Sequence, residues 1–227
     1  MLSRTASALV PVFGRLTLTL DGGGEPAPGS IIAANHTSLS DPAIVLAALR
    51  QLGVEPVVMA AAGLWRVPFL GRALTRGGHI PVRRGAPGAA ACLDSAAEAL
   101  ARGRLVLIYG EGGIPEGSGS AELPPRPFRS GLARLAAATG APVVPLGQAG
   151  ARRVTSGGAA RQLAGLATAP LRRPDLYVHI GAPVRLTGDR QDATAQAHRA
   201  VTAAWRTAAG RLAGQAAVPA VPARATR

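Results

Sequence analysis

The chain has 227 residues, of which 48% are hydrophobic, enough for one α/β domain with a full core. Its formal net charge is +13, from 25 basic and 12 acidic residues, and every basic residue is an arginine. This charge favours anionic partners such as nucleic acid, an anionic membrane or phosphorylated small molecules. Aromatic residues make up only 3% of the chain, which argues against a stacking surface for single-stranded nucleic acid.

A single cysteine, Cys92, excludes an intramolecular disulfide and a cysteine-cluster metal site. No uncharged apolar stretch reaches the roughly 18 residues that a membrane-spanning helix needs. The N-terminal segment is apolar only over a short stretch, which Pro11 interrupts. We interpret residues 1–15 as an amphipathic arm that could lie on a membrane surface.

Apolar runs and helical patterns alternate along most of the chain, which predicts strands alternating with helices. The predicted strands are residues 16–20, 30–35, 56–60, 79–82, 105–109, 142–146 and 176–180. The predicted helices are residues 41 to about 50, 87–102, 128–139 and 188 to about 212. We therefore expect a single-domain α/β sandwich over residues 16–213, with a mostly parallel central sheet flanked by helices.

Three segments fit this alternation less well. Residues 63–76 combine Trp65 and Phe69 with three arginines, a mixture that suits either a membrane interface or an ordinary amphipathic helix on the sheet. Residues 150–174 have the composition of a polar, glycine-containing excursion. Residues 214–227 show neither a helical nor a strand period, and we expect them to be disordered.

A polar turn, residues 35–41, lies between the second predicted strand and the first predicted helix. His36 is the side chain in it that can take up and return a proton near neutral pH. Asp41 is followed by Pro42, which is typical of a helix start, so Asp41 is expected to cap the helix. If the turn also folds Asp41 back onto His36, the carboxylate would orient the imidazole as a general base.

The carboxyl ends of parallel strands meet at one edge of a sheet, and three predicted strands carry polar groups at that end. The first delivers His36, the second Arg83 and Arg84, and the third Glu111 among glycines. A general base, two guanidinium groups and a carboxylate could therefore lie in one crevice. Arginine binds phosphate through two hydrogen bonds, which suits a phosphorylated ligand.

These blocks, in this order, resemble the glycerolipid acyltransferase family, whose type members are bacterial 1-acyl-sn-glycerol-3-phosphate acyltransferases. Residues 35–41 match the His-x4-Asp signature, and residues 78–85 resemble the second block, whose arginine contacts the acceptor phosphate. Residues 142–147 resemble the fourth block, which lines the acyl side, and residues 179–183 resemble the closing turn. The resemblance covers about residues 16–186 and implies the family's fold.

The third block departs from the family pattern Phe-Pro-Glu-Gly-Thr-Arg-Ser. Residues 109–115 read Tyr-Gly-Glu-Gly-Gly-Ile-Pro, which keeps Glu111 and Gly112 and places Ile114 where the family has an arginine. That family arginine helps to bind the acceptor phosphate. Either Arg129 or a neighbouring residue takes over this role, or the acceptor is not a simple lysophosphatidate.

The resemblance implies transfer of a fatty acyl group from acyl-CoA or acyl-carrier protein to the hydroxyl of a lysophospholipid. His36 would be the base and Asp41 its partner, with no protein nucleophile, metal or cofactor.

The same comparison implies an acceptor phosphate held by Arg83, Arg84, Glu111 and Gly112, with Pro145 on the acyl side. We expect a peripheral protein on the cytoplasmic side of the cell membrane, bound to an anionic surface.

Two alternatives remain open. The enzyme could use another acceptor, such as an amino-lipid, a glycolipid or another lysolipid, because the third block is altered. Alternatively, the chain could be a non-catalytic basic protein that binds a membrane or nucleic acid, which the charge of +13 supports. That second alternative gives no reason for His36 and Asp41 at their spacing.

Overall fold

The computed structural model describes residues 2–22, 25–83, 91–115 and 119–216. Seven strands form one sheet in the order β1-β7-β6-β2-β5-β3-β4. All neighbouring strands run parallel except β6 and β7, which are antiparallel, so the expected mostly parallel sheet is confirmed. The strands are β1 (Arg15–Leu20), β2 (Ile31–Ala34), β3 (Val57–Ala61), β4 (Ile80–Val82), β5 (Val106–Tyr109), β6 (Val143–Ala149) and β7 (Asp175–Ile180).

Helices cover both faces of the sheet. They are α1 (Leu2–Phe13), α2 (Asp41–Gln51), α3 (Leu70–Arg76), α4 (Ala91–Ala101), α5 (Gly131–Thr139), α6 (Ala151–Val154), α7 (Ala159–Arg172) and α8 (Arg190–Ala216). A short 3-10 helix, Ala62–Arg66, follows β3. Strands that alternate with helices in this way produce the predicted sandwich.

The central strand β2 explains why its sequence is apolar without alternation. All four of its residues are fully buried, because Ile32 and Ala34 pack towards α1 and α2 while Ile31 and Ala33 pack towards α4, α5 and α8. A strand with helices on both faces has no solvent side. Its carboxyl end is therefore held rigidly where the polar turn begins.

Residues 63–76 do not form one amphipathic helix. The 3-10 helix ends at Arg66, and α3 begins at Leu70, after a break that contains Pro68 and Phe69. Proline removes a helical amide and disfavours helical geometry in the residue before it. Phe69 has a positive φ of 63° and is 80% exposed.

The expectation of a loop at residues 150–174 is wrong, because the segment folds into α6 and α7. Its pattern misleads because α7 exposes its three leucines and buries only Ala169, the reverse of an ordinary surface helix. The start of α5 was also predicted three residues early. Phe128 belongs to the preceding segment, where its ring packs against the backbone of Gly110.

The chain ends extend the domain beyond the predicted core. Residues 2–13 form α1, which runs through Pro11 and packs on α2 through Ser3, Ala6 and Val10. Helix α8 continues to Ala216, and residues 217–227 lie outside the described residues. Residues 84–90, which include the expected start of the helix at 87–102, also lie outside them. Among the described helices, none has the length and hydrophobicity that crossing a membrane requires.

Close contact between β6 and α8 depends on Gly147. A Cβ added there would lie 2.0 Å from the backbone nitrogen of Trp205. We expect Gly147→Ala to lower the free energy of unfolding by about 3 kcal/mol, because two backbones would have to separate. Urea denaturation measures this change.

Gly210→Ala is the matched control, because Gly210 lies in the exposed part of α8 with open space around its Cα. It should raise the free energy of unfolding by about 0.5–1 kcal/mol through helix propensity. Equal stability of the two variants would contradict the packing assignment.

Candidate active site

His36 and Asp41 form a partly buried pair at the carboxyl end of β2. The Nδ1 atom of His36 lies 2.9 Å from Oδ2 of Asp41, and the Asp41 side chain is fully buried. The same Oδ2 accepts hydrogen bonds from the backbone amides of Thr37 and Ser38. The turn therefore folds Asp41 back onto His36, as the sequence suggested.

The expectation that Asp41 caps α2 needs correction. Asp41 is the first residue of α2, and Ser40 occupies the cap position without a side-chain cap hydrogen bond. The Asp41 carboxylate points back into the turn and accepts the amides that precede the helix. Pro42 follows it within the first helical turn, where its missing amide costs nothing.

This arrangement defines the chemistry available to His36. A carboxylate oxygen that already accepts two amide hydrogens acts as an acceptor towards the imidazole as well, so Nδ1–H of His36 donates to it. The tautomer that results carries its lone pair on Nε2. Nε2 is then free to accept a proton, and the negative charge of Asp41 stabilises the imidazolium that forms.

Strand β5 supports the other side of the imidazole. The parallel register pairs Ala34 with Tyr109, so Tyr109 and Glu111 lie level with Ala34 and His36. The Tyr109 ring stacks on the His36 ring, with a centroid distance of 4.3 Å and an interplanar angle of 28°. Oε1 of Glu111 accepts the backbone amide of His36 at 2.8 Å.

Glu111 also interacts with an arginine. Its Oε2 lies 3.4 Å from Nε of Arg126, which donates in addition to the carbonyl of Gly113. Burial raises the pKa of Glu111, and hydrogen bonds from His36 and Arg126 oppose that shift. The Arg129 side chain packs over Gly112, so the arginine paired with Glu111 is Arg126.

A cavity of about 400 Å³ lies beside the turn. Its walls come from the turn itself, from the altered third block and from the α6–α7 connection. The lining residues include Leu39, Ile114, Pro115, Arg152, Thr155 and Gln162. Ile114 therefore forms part of the wall next to the His36–Asp41 pair.

Comparison with known proteins agrees with this geometry. A family model described as Acyltransferase matches residues 23–148, more than half of the chain. The chain belongs to the acyltransferase family. It is 30% identical, over 117 residues, to the 1-acyl-sn-glycerol-3-phosphate acyltransferase BAT2, chloroplastic, of Brassica napus. That match covers 51% of this chain and 31% of the plant protein, so about a third of the relative's length is represented.

The fold also matches a solved structure. The 1-acyl-sn-glycerophosphate (LPA) acyltransferase PlsC from Thermotoga maritima superposes with a TM-score of 0.67 over 96% of this chain and 79% of that chain. The sequence identity is 17%, so this likeness concerns the fold alone. The acyltransferase family model ends at residue 148, which places α6 and α7 outside the matched region.

Not every residue that the acyltransferase resemblance singled out lies at this pair. Arg83 is exposed and follows β4, which is three strands away from β2 in the sheet, or roughly 14 Å at the usual strand spacing. Arg84 lies outside the described residues. Pro145 is buried in β6, where it pairs with Ala33. The catalytic and binding roles of all these residues stay predictions.

Sequence reasoning missed two residues that fix the turn. The side-chain amide of Asn35 pairs with the backbone of Gln148, donating to its carbonyl at 3.1 Å and accepting its amide at 2.8 Å. This imitates one more step of strand pairing between β2 and β6. Asn35 belongs to the first family block, so its position was a usable signal.

Arg152 is the second such residue. Its guanidinium is buried and donates to the carbonyls of Thr37, Gly119 and Ala121. Ser38 Oγ donates to the Thr155 carbonyl at 2.7 Å, which ties the same segment to the turn. No spacing in the sequence pointed to these contacts, because the two that reach the turn join residues 115 and 117 positions apart and the other two join residues 33 and 31 positions apart.

A further buried carboxylate, Glu122, lies near Asp41. Its Oε1 accepts the amide of Gly150 at 2.9 Å. Burial raises the pKa of Glu122, the Gly150 amide opposes this, and the charge of Asp41 raises the pKa further. A raised pKa means that the folded chain binds the proton more tightly than the unfolded chain does.

We therefore expect Glu122→Gln to stabilise the protein at pH 7 relative to the parent chain. The parent loses stability as the pH rises from the unfolded carboxyl pKa through the raised folded pKa, and glutamine cannot titrate. The difference in the free energy of unfolding should vanish below about pH 4, where Glu122 is protonated in both states. Urea denaturation across this pH range measures it.

Glu98→Gln is the control, because Glu98 forms an exposed ion pair with Arg102 on α4. Its effect at pH 7 should stay within about 0.5 kcal/mol. A Glu122→Gln variant that loses stability as the pH rises, relative to the parent, would contradict the assignment.

Proposed function

We propose that this protein transfers a fatty acyl group from acyl-CoA or acyl-carrier protein to the hydroxyl of a lysophospholipid. The observation that carries the proposal is the 2.9 Å contact between His36 Nδ1 and Asp41 Oδ2, which provides a base at Nε2. Family membership and the name of the plant relative support this chemistry. They also make 1-acyl-glycerol-3-phosphate the first acceptor to test.

The transfer begins when Nε2 of His36 takes the proton of the acceptor hydroxyl. The hydroxyl oxygen attacks the thioester carbonyl, the carbon–oxygen bond forms and the carbon–sulfur bond breaks. The imidazolium returns the proton to the thiolate that leaves. Asp41 stabilises the imidazolium between these two steps.

A protein nucleophile is not required. Cys92, the single cysteine, lies in α4, and burial raises the pKa of its thiol, so it is not activated. Ser38 lies in the turn, but its hydroxyl is engaged by Thr155 and Ser40. Direct attack by the acceptor hydroxyl on the thioester therefore fits the site better than a covalent acyl-enzyme.

Three backbone amides of the turn are already engaged and do not serve as oxyanion donors. The amide of His36 is bound by Glu111, and the amides of Thr37 and Ser38 are bound by Asp41. A developing oxyanion would need donors that are not already engaged. The donors for the thioester oxygen must come from elsewhere around the cavity.

The acceptor phosphate is assigned to Arg126. Its guanidinium is partly exposed and pairs with Oε2 of Glu111, whose Oε1 accepts the His36 amide. This position supplies a cation at Glu111 of the third block, although not at the cavity wall that Ile114 lines. Arg83 and Arg84 remain candidates for a second contact, on the sequence resemblance alone.

We place the protein on the cytoplasmic side of the cell membrane as a peripheral protein. Its formal charge of +13 favours an anionic surface, and its lipid substrates dissolve in the bilayer. The absence of any acidic residue from α1, α6 and α7 supports the same assignment.

His36→Ala tests the catalytic assignment. Because it removes the base, the rate of acyl transfer to lysophosphatidate should fall by at least about a hundredfold. Circular dichroism and urea denaturation should show a folded protein. The measurement is release of the CoA thiol together with product identification by mass spectrometry.

His198→Ala is the control, since His198 lies on α8 and contacts Pro125. Its rate should stay within about threefold of the parent rate, which is less than 1 kcal/mol. A His36→Ala variant with near-normal transfer would refute the mechanism.

Arg126→Gln tests the acceptor site. We expect the Michaelis constant for lysophosphatidate to rise about tenfold, because one charge-assisted contact to phosphate is lost. The constant for an uncharged monoacylglycerol should not change. A panel of lysolipids incubated with labelled acyl-CoA identifies the preferred acceptor in the same assay.

Arg102→Gln, at an exposed ion pair on α4, serves as the control and should leave both constants unchanged. If Arg126→Gln raises the Michaelis constants for lysophosphatidate and for monoacylglycerol equally, Arg126 maintains the structure of the site but does not bind the phosphate. An acceptor without phosphate that outperforms lysophosphatidate would favour the alternative acceptor class, to which the apolar Ile114 wall is suited.

A further inference from the structure

Helix α7 presents its apolar side to solvent. Leu163 is 69% exposed, Leu166 is 39% exposed and Leu171 is 89% exposed. With about 100° of rotation per residue, these leucines fall with Ala167 and Pro170 on one arc of the helix. A soluble surface helix normally turns such an arc inwards, so this helix has the orientation of a membrane-surface helix.

The orientation of α7 is fixed by its inner side. Gly165 approaches the carbonyl of Val154 so closely that a Cβ would lie 2.3 Å from the oxygen. Ala169, one turn further along, is fully buried. The close approach fits only small residues, so α7 cannot rotate its leucines into the core without opening this contact.

Helix α1 extends the same surface. Leu9 and Val12 are each 50% exposed, whereas Ser3 and Val10 face α2. Arg173, directly after α7, donates to the Pro11 carbonyl at 3.2 Å, which joins the ends of the two helices. The outward side chains of both helices, Leu9, Val12, Leu163, Leu166 and Leu171, are called the leucine face below.

The helices that carry the leucine face are basic. Arg161 and Arg172 lie on α7, and Arg4 and Arg173 are exposed nearby. Neither α1 nor α7 contains an acidic residue. In a symmetric dimer through this face, arginines would meet arginines without carboxylates to pair with them. Exposed apolar side chains on helices that contain arginines and no acidic residue match the acyl layer and anionic headgroups of a phospholipid bilayer.

Helix α7 also contributes to the cavity beside the turn. Gln162, in the first turn of α7, lines that cavity together with Gly158 and Leu39. Leu39 follows Ser38 of the turn and is 62% exposed. A lipid in contact with α7 would thus lie beside the cavity whose wall includes Thr37 and Ser38 of the turn.

We propose that the leucine face inserts into the interfacial layer of an anionic phospholipid bilayer and sets the cavity at the membrane surface. This rests on the proposed function for the nature of the substrate, and goes beyond it by assigning the surface that docks. It keeps the sequence-based expectation of membrane contact within residues 1–15, through Leu9 and Val12, and adds α7, which that expectation did not include.

The test uses the full chain and vesicles of phosphatidylglycerol and phosphatidylcholine at equal amounts. The double variant Leu163→Gln/Leu171→Gln should lower the vesicle partition coefficient about tenfold or more, because two exposed leucines lose their apolar contact. Vesicles of phosphatidylcholine alone should bind the parent chain more weakly, and added salt should weaken its binding to the anionic vesicles.

The matched control is Ala203→Gln/Ala213→Gln on exposed positions of α8, which lies across the sheet from α1 and α7. Its partition coefficient should stay within twofold of the parent value. Equal losses in the two double variants, or no loss in the leucine variant, would overturn the proposal. So would a loss only in Phe69→Gln, which alters the exposed aromatic between the 3-10 helix and α3.

Two further measurements separate the explanations. Sedimentation velocity should show a monomer for the parent and the leucine variant; a parent dimer that the leucine variant dissociates would overturn the proposal in favour of self-association. The rate of acyl transfer to a short-chain lysophosphatidate, below its critical micelle concentration, should be equal in the parent chain and in the leucine variant. Absence of transfer in the parent would refute the proposed function and leave the vesicle result standing.

Discussion

One carboxylate oxygen, Oδ2 of Asp41, holds the candidate site together. It accepts three hydrogen bonds, from the imidazole of His36 and from the amides of Thr37 and Ser38. A fully buried carboxylate would destabilise the fold without such partners. Because all three donors lie within five residues before it, the turn has no freedom to move His36 away. The interaction that compensates the burial of Asp41 also orients the base.

The surrounding strands make that turn rigid from both sides. Asn35 extends the pairing of β2 with β6, and Glu111 at the end of β5 binds the His36 amide. Arg152 closes the third side by donating to the Thr37 carbonyl at 3.1 Å. An imidazole held by contacts from three strands and a helix would need no rearrangement before accepting a proton, which is the preorganisation that the proposed catalysis requires.

The sequence predicted most of this arrangement because the relevant signals are local. Each strand is a short apolar run, and His36 and Asp41 are five residues apart beside a helix start, so chain geometry nearly forces their contact. Arg152 and Arg126 were not predicted to lie at the site, since their contacts depend on how distant segments fold. Helix α7 was not predicted because it exposes its leucines and buries only Ala169, which inverts the pattern that identifies a soluble helix.

The outward-facing leucines of α7 and the altered third block both bear on how the proposed lipid substrate would bind. Ile114 removes a cation from the cavity wall, and the arginine that the wall does contain, Arg152, is engaged by three carbonyls. Arg126, which pairs with Glu111, is absent from that wall. We therefore expect the phosphate of an acceptor to lie on the Glu111 side of His36 and an apolar portion of a substrate to occupy the cavity. Since α7 begins at the cavity and turns its leucines outwards, an acyl chain would remain in apolar surroundings from the bilayer to the base.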